Sequence, residues 1–423
     1  MKSKELKSHI LAGALYNRTD LYSDTASAAK RIVSAIESFE SLYGEDREVY
    51  VLSVPGRSEI SGNHTDHNGG CVLAGAINRD IIAIASPNNE AIVRLKSEGY
   101  EESVIDIADA TNKDRFKKFT SRALIGGMLD GFIGRGYKVG GFDAYTTTEV
   151  LRGSGLSSSA AFEVMIGNIL NYLFNDGKVD NQDIAILARG AENNYFGKPC
   201  GLMDQMACAV GGFVFIDFEK GDAPVVKPTA FSLAERGYAL CIVNTGGNHA
   251  NLNDDYASVP TEMRSVASHF GKQILRGIGE DEIISAIPSL REKVGDRAIL
   301  RALHFVREND RVASAYSSLV GGDFDSFLSI IRESGRSSFE YLQNVYTTIN
   351  VKEQGLSLAL ALTDGYMGKR GAFRVHGGGF AGTIQVFIPT DMLAGYVSLV
   401  NSVFGEGSAM PLNIRPFGAC RLF

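Results

Sequence analysis

Residues 152–161, Arg-Gly-Ser-Gly-Leu-Ser-Ser-Ser-Ala-Ala, constrain this chain more than any other stretch. Gly153 and Gly155 remove side chains where a backbone must take positive φ or approach another group closely. Ser157, Ser158 and Ser159 then open a run in which Phe162, Met165, Ile166, Ile169 and Leu173 recur at helical spacing. A glycine-serine loop that feeds a helix gathers N–H groups, hydroxyls and the positive end of the helix dipole at one point, which suits a phosphate. The same residues also suit a plain turn whose serines cap the helix, and the stretch alone leaves both readings open. It is not a Walker loop, because no lysine follows the glycines, and no H-R-D or D-F-G marks a protein kinase.

A second unusual stretch is residues 53–70, SVPGRSEISGNHTDHNGG. It sets Arg57, Glu59, Asn63, His64, Asp66 and His67 between the apolar runs 49–52 and 71–77. A solvated hairpin, a metal site or a pocket for a hydroxyl-rich ligand would each account for it. A third, Gly-Gly-Gly-Phe-Ala-Gly at 377–382, matches the letters of a dinucleotide loop but lacks the helix such a loop must open. Residues 383–388 alternate as a strand and stop at Pro389, so this loop joins two strands and can bring backbone close to a ligand.

At 423 residues the chain is long enough for two domains, expected at 1–225 and 226–423, with the boundary in the turn-rich 219–237. Strands are expected at 49–54, 71–77, 81–85, 91–95, 213–218 and 238–245, and a hairpin at 137–150. Helices are expected at 24–43, 119–133, 181–196, 258–275, 280–293, 297–319, 323–333 and 351–366. Mixed helices and short strands indicate an α+β class. A formal charge of −7 argues against a nucleic-acid partner, which needs clustered Lys and Arg. The five cysteines form no C-x-x-C pair and suit free thiols in a reducing compartment. With no signal peptide and no stretch fit to span a bilayer, a cytoplasmic protein without membrane partners, and a monomer, is expected.

Taken in order, the polar segment, the glycine-serine loop and the late glycine hairpin resemble the motifs of the GHMP small-molecule kinases, and within them the galactokinases. The galactokinase pattern G-R-x-N-x-I-G-E-H-x-D-Y-N-x-G is similar to residues 56–70, and PCGLMDQ at 199–205 resembles the segment bearing the catalytic acid. The resemblance implies a two-domain GHMP kinase fold, with a ribosomal protein S5 domain 2-like N-terminal domain and a ferredoxin-like C-terminal domain. It also implies a sugar kinase that uses ATP and Mg2+ to phosphorylate the C1 hydroxyl of galactose.

By the same resemblance Asp204 is the general base and Arg57 its partner. Contacts to the monosaccharide fall to Arg57, Glu59, Asn63, His64, Asp66, Gly201, Asp204 and Tyr256. ATP falls to Gly153, Ser154, Gly155, Leu156, Ser157, Ser158, Ser159, Gly378 and Gly379, and the metal to Ser159 and Glu192. Adenine contacts are expected from the weakly patterned region 100–130.

Four positions depart from the pattern. Glu59 stands where the family has Asn, Asn63 where it has Glu, His67 where it has Tyr, and Leu151 where it has Pro. Losing a carboxylate at 63 leaves a C6-modified sugar such as galacturonate as an alternative substrate. Two further alternatives are a zinc metallohydrolase built on His64, Asp66 and His67, and an inactive sugar sensor. The seven histidines leave few further zinc ligands, and a sensor should lack a piece of the machinery that Arg57, Asp204 and Ser159 supply.

Overall fold

The computed structural model describes residues 1–150, 155–198, 200–221, 223–247 and 252–423. In chain order its helices are α1 (Ser3–His9), α2 (Thr25–Tyr43), α3 (Ser121–Gly134), α4 (Ser158–Phe174), α5 (Asn181–Ala191), α6 (Met203–Val210), α7 (Asn253–His269), α8 (Glu280–Lys293), α9 (Asp296–Gly321), α10 (Phe324–Ser337), α11 (Gly355–Met367) and α12 (Thr390–Phe404). Its strands are β1 (Tyr50–Ser61), β2 (Cys71–Pro87), β3 (Ile92–Ser97), β4 (Ser103–Asp106), β5 (Phe142–Thr148), β6 (Phe213–Asp217), β7 (Val225–Thr229), β8 (Tyr238–Asn244), β9 (Ala372–His376), β10 (Thr383–Pro389), β11 (Ala409–Leu412) and β12 (Cys420–Arg421).

The first sheet runs β12-β1-β2-β5-β3-β4. Its long strand β2 changes partner along its length, pairing with β6 at Cys71↔Asp217 and with β5 at Ile81↔Thr148. Helices cover both faces. On one, Ile32, Ile36 and Phe39 of α2 pack with Leu6 and Ile10 against Val51, Ile82 and Ile84. Each such fully buried side chain contributes about 1.5–3 kcal/mol by leaving water. Asp24 caps α2 by accepting from the Ser27 N–H at 2.9 Å. On the other face lie α3 to α6, through Met128, Met165, Ile169 and Met206. Because both faces are covered, β1 is buried from Val51 to Ser61, including Arg57 and Glu59.

The polar segment is therefore only half a loop. The sequence suggested a strand ending near residue 54, but β1 continues through Arg57 and Glu59 to Ser61 and leaves a turn only at 62–70. The register slips between Pro55 and Arg57, where a bulge re-aims the strand. The hairpin expected at 137–150 does not form. Only Phe142–Thr148 is a strand, and it pairs antiparallel with β2 and parallel with β3.

The second sheet is ordered β11-β8-β10-β9. Its two-residue period divides the core: Ala239, Cys241 and Val243 face Leu356 and Tyr396 of α11 and α12, while Leu240 and Ile242 join Phe327 and Ile331 of α10 in the main core. Helices α7, α8 and α9 enclose their own cluster around Met263, Ile283 and Phe305. After β11 the chain returns to the first sheet, where Cys420 pairs with Ser53. The cysteines are free thiols. Among the described residues no helix is long and apolar enough to cross a membrane.

Candidate active site

Two motifs far apart in sequence meet at one ion pair. Arg57, aimed by the β1 bulge, donates from Nε to Asp204 Oδ1 at 2.7 Å and from Nη2 to Asp204 Oδ2 at 2.8 Å. Asp204 lies in the first turn of α6, where the helix dipole favours negative charge. The glycine-serine loop joins them. Ser157 donates its hydroxyl to Asp204 Oδ2, Arg57 Nη1 donates to the Gly155 carbonyl, and the Arg57 N–H donates to Leu156 O at 3.1 Å. Gly155 has φ +74°, and a Cβ there would lie 3.2 Å from the His376 ring. A side chain at 155 would wedge this loop off the β9–β10 hairpin. Gly153 and Ser154 lie outside the described residues.

Burial would push the Asp204 carboxyl up, but the Arg57 charge, the Arg57 and Ser157 hydrogen bonds and the Lys198 charge hold it below the usual aspartate value. The Arg57 side chain is 9% exposed and that of Asp204 33%. The ionised carboxylate thus keeps an accessible edge that can accept a hydroxyl proton.

The turn at 62–70 is fastened to the glycine hairpin 377–382. His64 Nε2 lies 2.9 Å from Gly378 O, and Tyr256 donates its hydroxyl to Gly379 O at 2.8 Å. Burial draws the His64 imidazole down to about 4, so it is neutral at pH 7. Asn63 donates to Glu59 Oε1 at 2.5 Å and to Gly377 O at 2.9 Å, while its own oxygen accepts from Ser338 at 3.1 Å. Burial pushes the Glu59 carboxyl up to about 7 against the opposing charges of Arg374 and Arg57. Asp66 faces Gly201 across the mouth of the turn. The structure thus brings Glu59, Asn63, His64, Asp66, Gly201 and Tyr256 around one turn.

Gly378 and Gly379, expected on the nucleotide, have their carbonyls on the His64 and Tyr256 side. They do not line the cavity beside the serine loop.

That cavity has a volume of about 990 Å3 and is lined by Ser158, Ser159, Glu192 and Lys198 at one end. Tyr100, Ser103, Phe119, Ser121 and Arg122, from the weakly patterned region, also line it. Ser159 Oγ lies 3.4 Å from Glu192 Oε1, and Lys198 Nζ reaches the same oxygen at 3.4 Å. Behind them Gln205, next to Asp204, donates to Glu192 Oε2 at 2.8 Å and to Glu163 Oε2 at 3.1 Å. Burial and the Glu192 charge push the Glu163 carboxyl well up. Among the described residues no group of three or more His, Cys, Asp or Glu could hold a metal, and HTDH gathers no zinc set.

The GHMP kinases N terminal domain matches residues 123–212, and the galactokinase galactose-binding signature matches residues 37–87. Arg57 falls in one and Asp204 in the other. The galactokinase of Streptomyces coelicolor is 30% identical over 362 residues, 83% of this chain and 87% of that protein. This chain belongs to the galactokinase family of GHMP kinases. Its galactokinase relative from Glaesserella parasuis is 29% identical over 370 residues, 86% of this chain and 91% of that one. Among solved structures, Lactococcus lactis galactokinase complexed with galactose superposes with a TM-score of 0.78 at 24% identity, covering 92% of this chain and all of that one. Methanococcus jannaschii mevalonate kinase follows at 0.60 and 12%, covering 87% and 98%. The α+β GHMP kinase fold is thus shared by both.

As a galactokinase-family protein this chain is a sugar kinase, a phosphotransferase acting on a sugar hydroxyl, and ATP use goes with the family. Lys198, just before the PCGLMDQ segment, brings an ammonium group into the cavity beside Ser159 and Glu192. Sequence reasoning gave no role to Gln205, although it ends PCGLMDQ, nor to Glu163, two residues beyond the serine stretch. Hydroxyl and carboxylate oxygens at Ser159 and Glu192 are the hard donors Mg2+ takes, with phosphate oxygens and water completing its shell, so the donor set fits that ion.

Proposed function

We propose that the protein transfers the γ-phosphoryl group of ATP to the anomeric hydroxyl of galactose. One observation carries the reading: the bidentate Arg57–Asp204 pair is bonded to Ser157 of the loop whose Ser158 and Ser159 line the cavity, and Gly201, three residues before Asp204, faces Asp66 of the 62–70 turn. A loose phosphoryl-transfer transition state needs little covalent help and much positioning and charge neutralisation.

In this reading Asp204 orients the sugar hydroxyl and takes its proton, at an oxygen kept unprotonated by Arg57 and Ser157. Arg57 holds that carboxylate and meets charge on the moving phosphoryl group. Asp66, His64 and the Gly201 backbone form the fork that receives vicinal hydroxyls. The phosphates lie against Ser157, Ser158, Ser159 and Lys198, and the base lies toward Tyr100 and Phe119. Ser159 and Glu192 would hold Mg2+, which when bound neutralises phosphate charge.

The test is ADP release from ATP and Mg2+ across a panel of monosaccharides that includes galactose and galacturonate. Galactose is expected to give the highest kcat/KM. Faster turnover of galacturonate would replace the sugar, and ADP release with no sugar in the panel would remove the reading.

A further inference from the structure

Helix α9 places Arg301, His304, Glu308 and Asn309 on one face, and the first three are fully or almost fully buried. Polar groups are costly to bury unless they serve as partners for other buried polar groups. Three of these four find those partners in the backbone of one segment. His304 Nε2 lies 3.1 Å from Asn63 O, Glu308 Oε1 accepts the Gly62 N–H at 3.0 Å, and Asn309 Oδ1 accepts the Cys71 N–H at 2.7 Å. The segment they hold, 62–71, joins β1 to the first residue of β2, and its residues 62–70 lie outside the β1–β2 ladder.

The support continues behind the helix. A carbonyl can only accept, so His304 carries its proton on Nε2, and Nδ1 takes the Ser337 hydroxyl at 2.8 Å. Arg311 donates to the same hydroxyl at 2.7 Å and to Glu308 Oε2 at 2.7 Å. Arg374 donates to Ile60 O at 3.1 Å, just before the turn. Between the fixed points Asn63 O and Cys71 N sits His64, whose φ of +57° is uncommon for a residue with a side chain and persists only where the surroundings impose it.

We propose that the polar row of α9 is a positioning device for the sugar turn, in which His304, Glu308 and Asn309 set the affinity for the sugar by fixing the backbone of residues 62–71 without touching the ligand. This rests on the reading of the turn as the sugar site.

The experiment titrates galactose, galacturonate and a non-hydrolysable ATP analogue into the wild-type protein and into His304→Leu, His304→Gln and Asn309→Ala, with thermal melts of each. Leucine removes both hydrogen bonds of the imidazole, whereas the glutamine amide can reproduce the donor to Asn63 O. The leucine variant is expected to bind the sugar about tenfold more weakly and the nucleotide within about twofold of wild type, with glutamine restoring most of the loss. Asn309→Ala, at a less buried position, is expected to show the same split and decides the matter if the leucine variant does not fold. Unchanged sugar affinity, or equal loss of sugar and nucleotide, would overturn the inference while leaving the sugar site standing. A wild-type protein that binds neither sugar would overturn the sugar site, and the inference with it.

Discussion

Both carboxylate oxygens of Asp204 are engaged by Arg57, at 2.7 and 2.8 Å, across 147 residues of sequence. The pair neutralises itself without protonation, so Asp204 stays ionised while one edge remains open to the site. Asp204→Asn keeps the shape and removes the proton acceptor. It is expected to lower kcat by about 10²–10⁴-fold while sugar and nucleotide still bind, as read by steady-state kinetics beside calorimetry.

Arg57→Lys retains a charge but loses the planar fork. Asp204 is held below its usual value in the wild-type protein, so the carboxylate form persists as pH falls. Without the fork, burial dominates and the carboxyl rises. The acid limb of the kcat/KM profile should then move to higher pH, with kcat down by roughly tenfold to a hundredfold. An unmoved limb would detach Arg57 from the ionisation of Asp204.

A Cβ at Gly201 would lie 2.5 Å from Asp66 Oδ2. The obstacle is the end of a side chain, so Gly201→Ala should push the carboxylate aside and leave the fold intact. The expected result is a sugar KM raised roughly tenfold or more, with the ATP KM unchanged and stability within about 1 kcal/mol of wild type.

Glu59 tests the electrostatics of the strand. Its carboxyl titrates near 7 in the folded protein against an ordinary 4.5, so between those values the folded state holds a proton the unfolded state has lost. Stability from this group therefore falls as pH rises from about 4.5 to about 7, by on the order of 2–3 kcal/mol. Glu59→Gln has no proton to lose. Urea unfolding at pH 5 and pH 7.5 should show the variant gaining on the wild type at the higher pH, and parallel changes would contradict the assignment.

Much of this site was legible because its chemistry is local. Arg57, Ser157, Ser159 and Asp204 each sit in a short motif whose residue types are unusual for a plain turn or helix. What the sequence hid depends on long-range pairing or on burial. Arg57 and Glu59 read as loop because polar residues inside a strand covered on both faces break the usual alternation. Residues 137–150 suggested a hairpin, yet β5 finds its partners in β2 and β3, far earlier in the chain. The polar residues of α9 look like an ordinary solvated helix face, and nothing local says that they meet the backbone of 62–71. Asn63 and Glu59, which reverse the Asn and Glu of the pattern this segment resembles, hydrogen-bond each other inside the fold, a pairing that no local spacing announces.

The central claim is that Arg57 and Asp204 direct a phosphoryl group onto the anomeric hydroxyl of a sugar. Phosphorus NMR of the product formed from ATP, Mg2+ and galactose tests it most directly. The account predicts a sugar phosphate whose phosphorus couples to the anomeric proton, formed at least about a hundredfold more slowly with Asp204→Asn. Phosphate on any other hydroxyl, or no sugar phosphate at all, would contradict it.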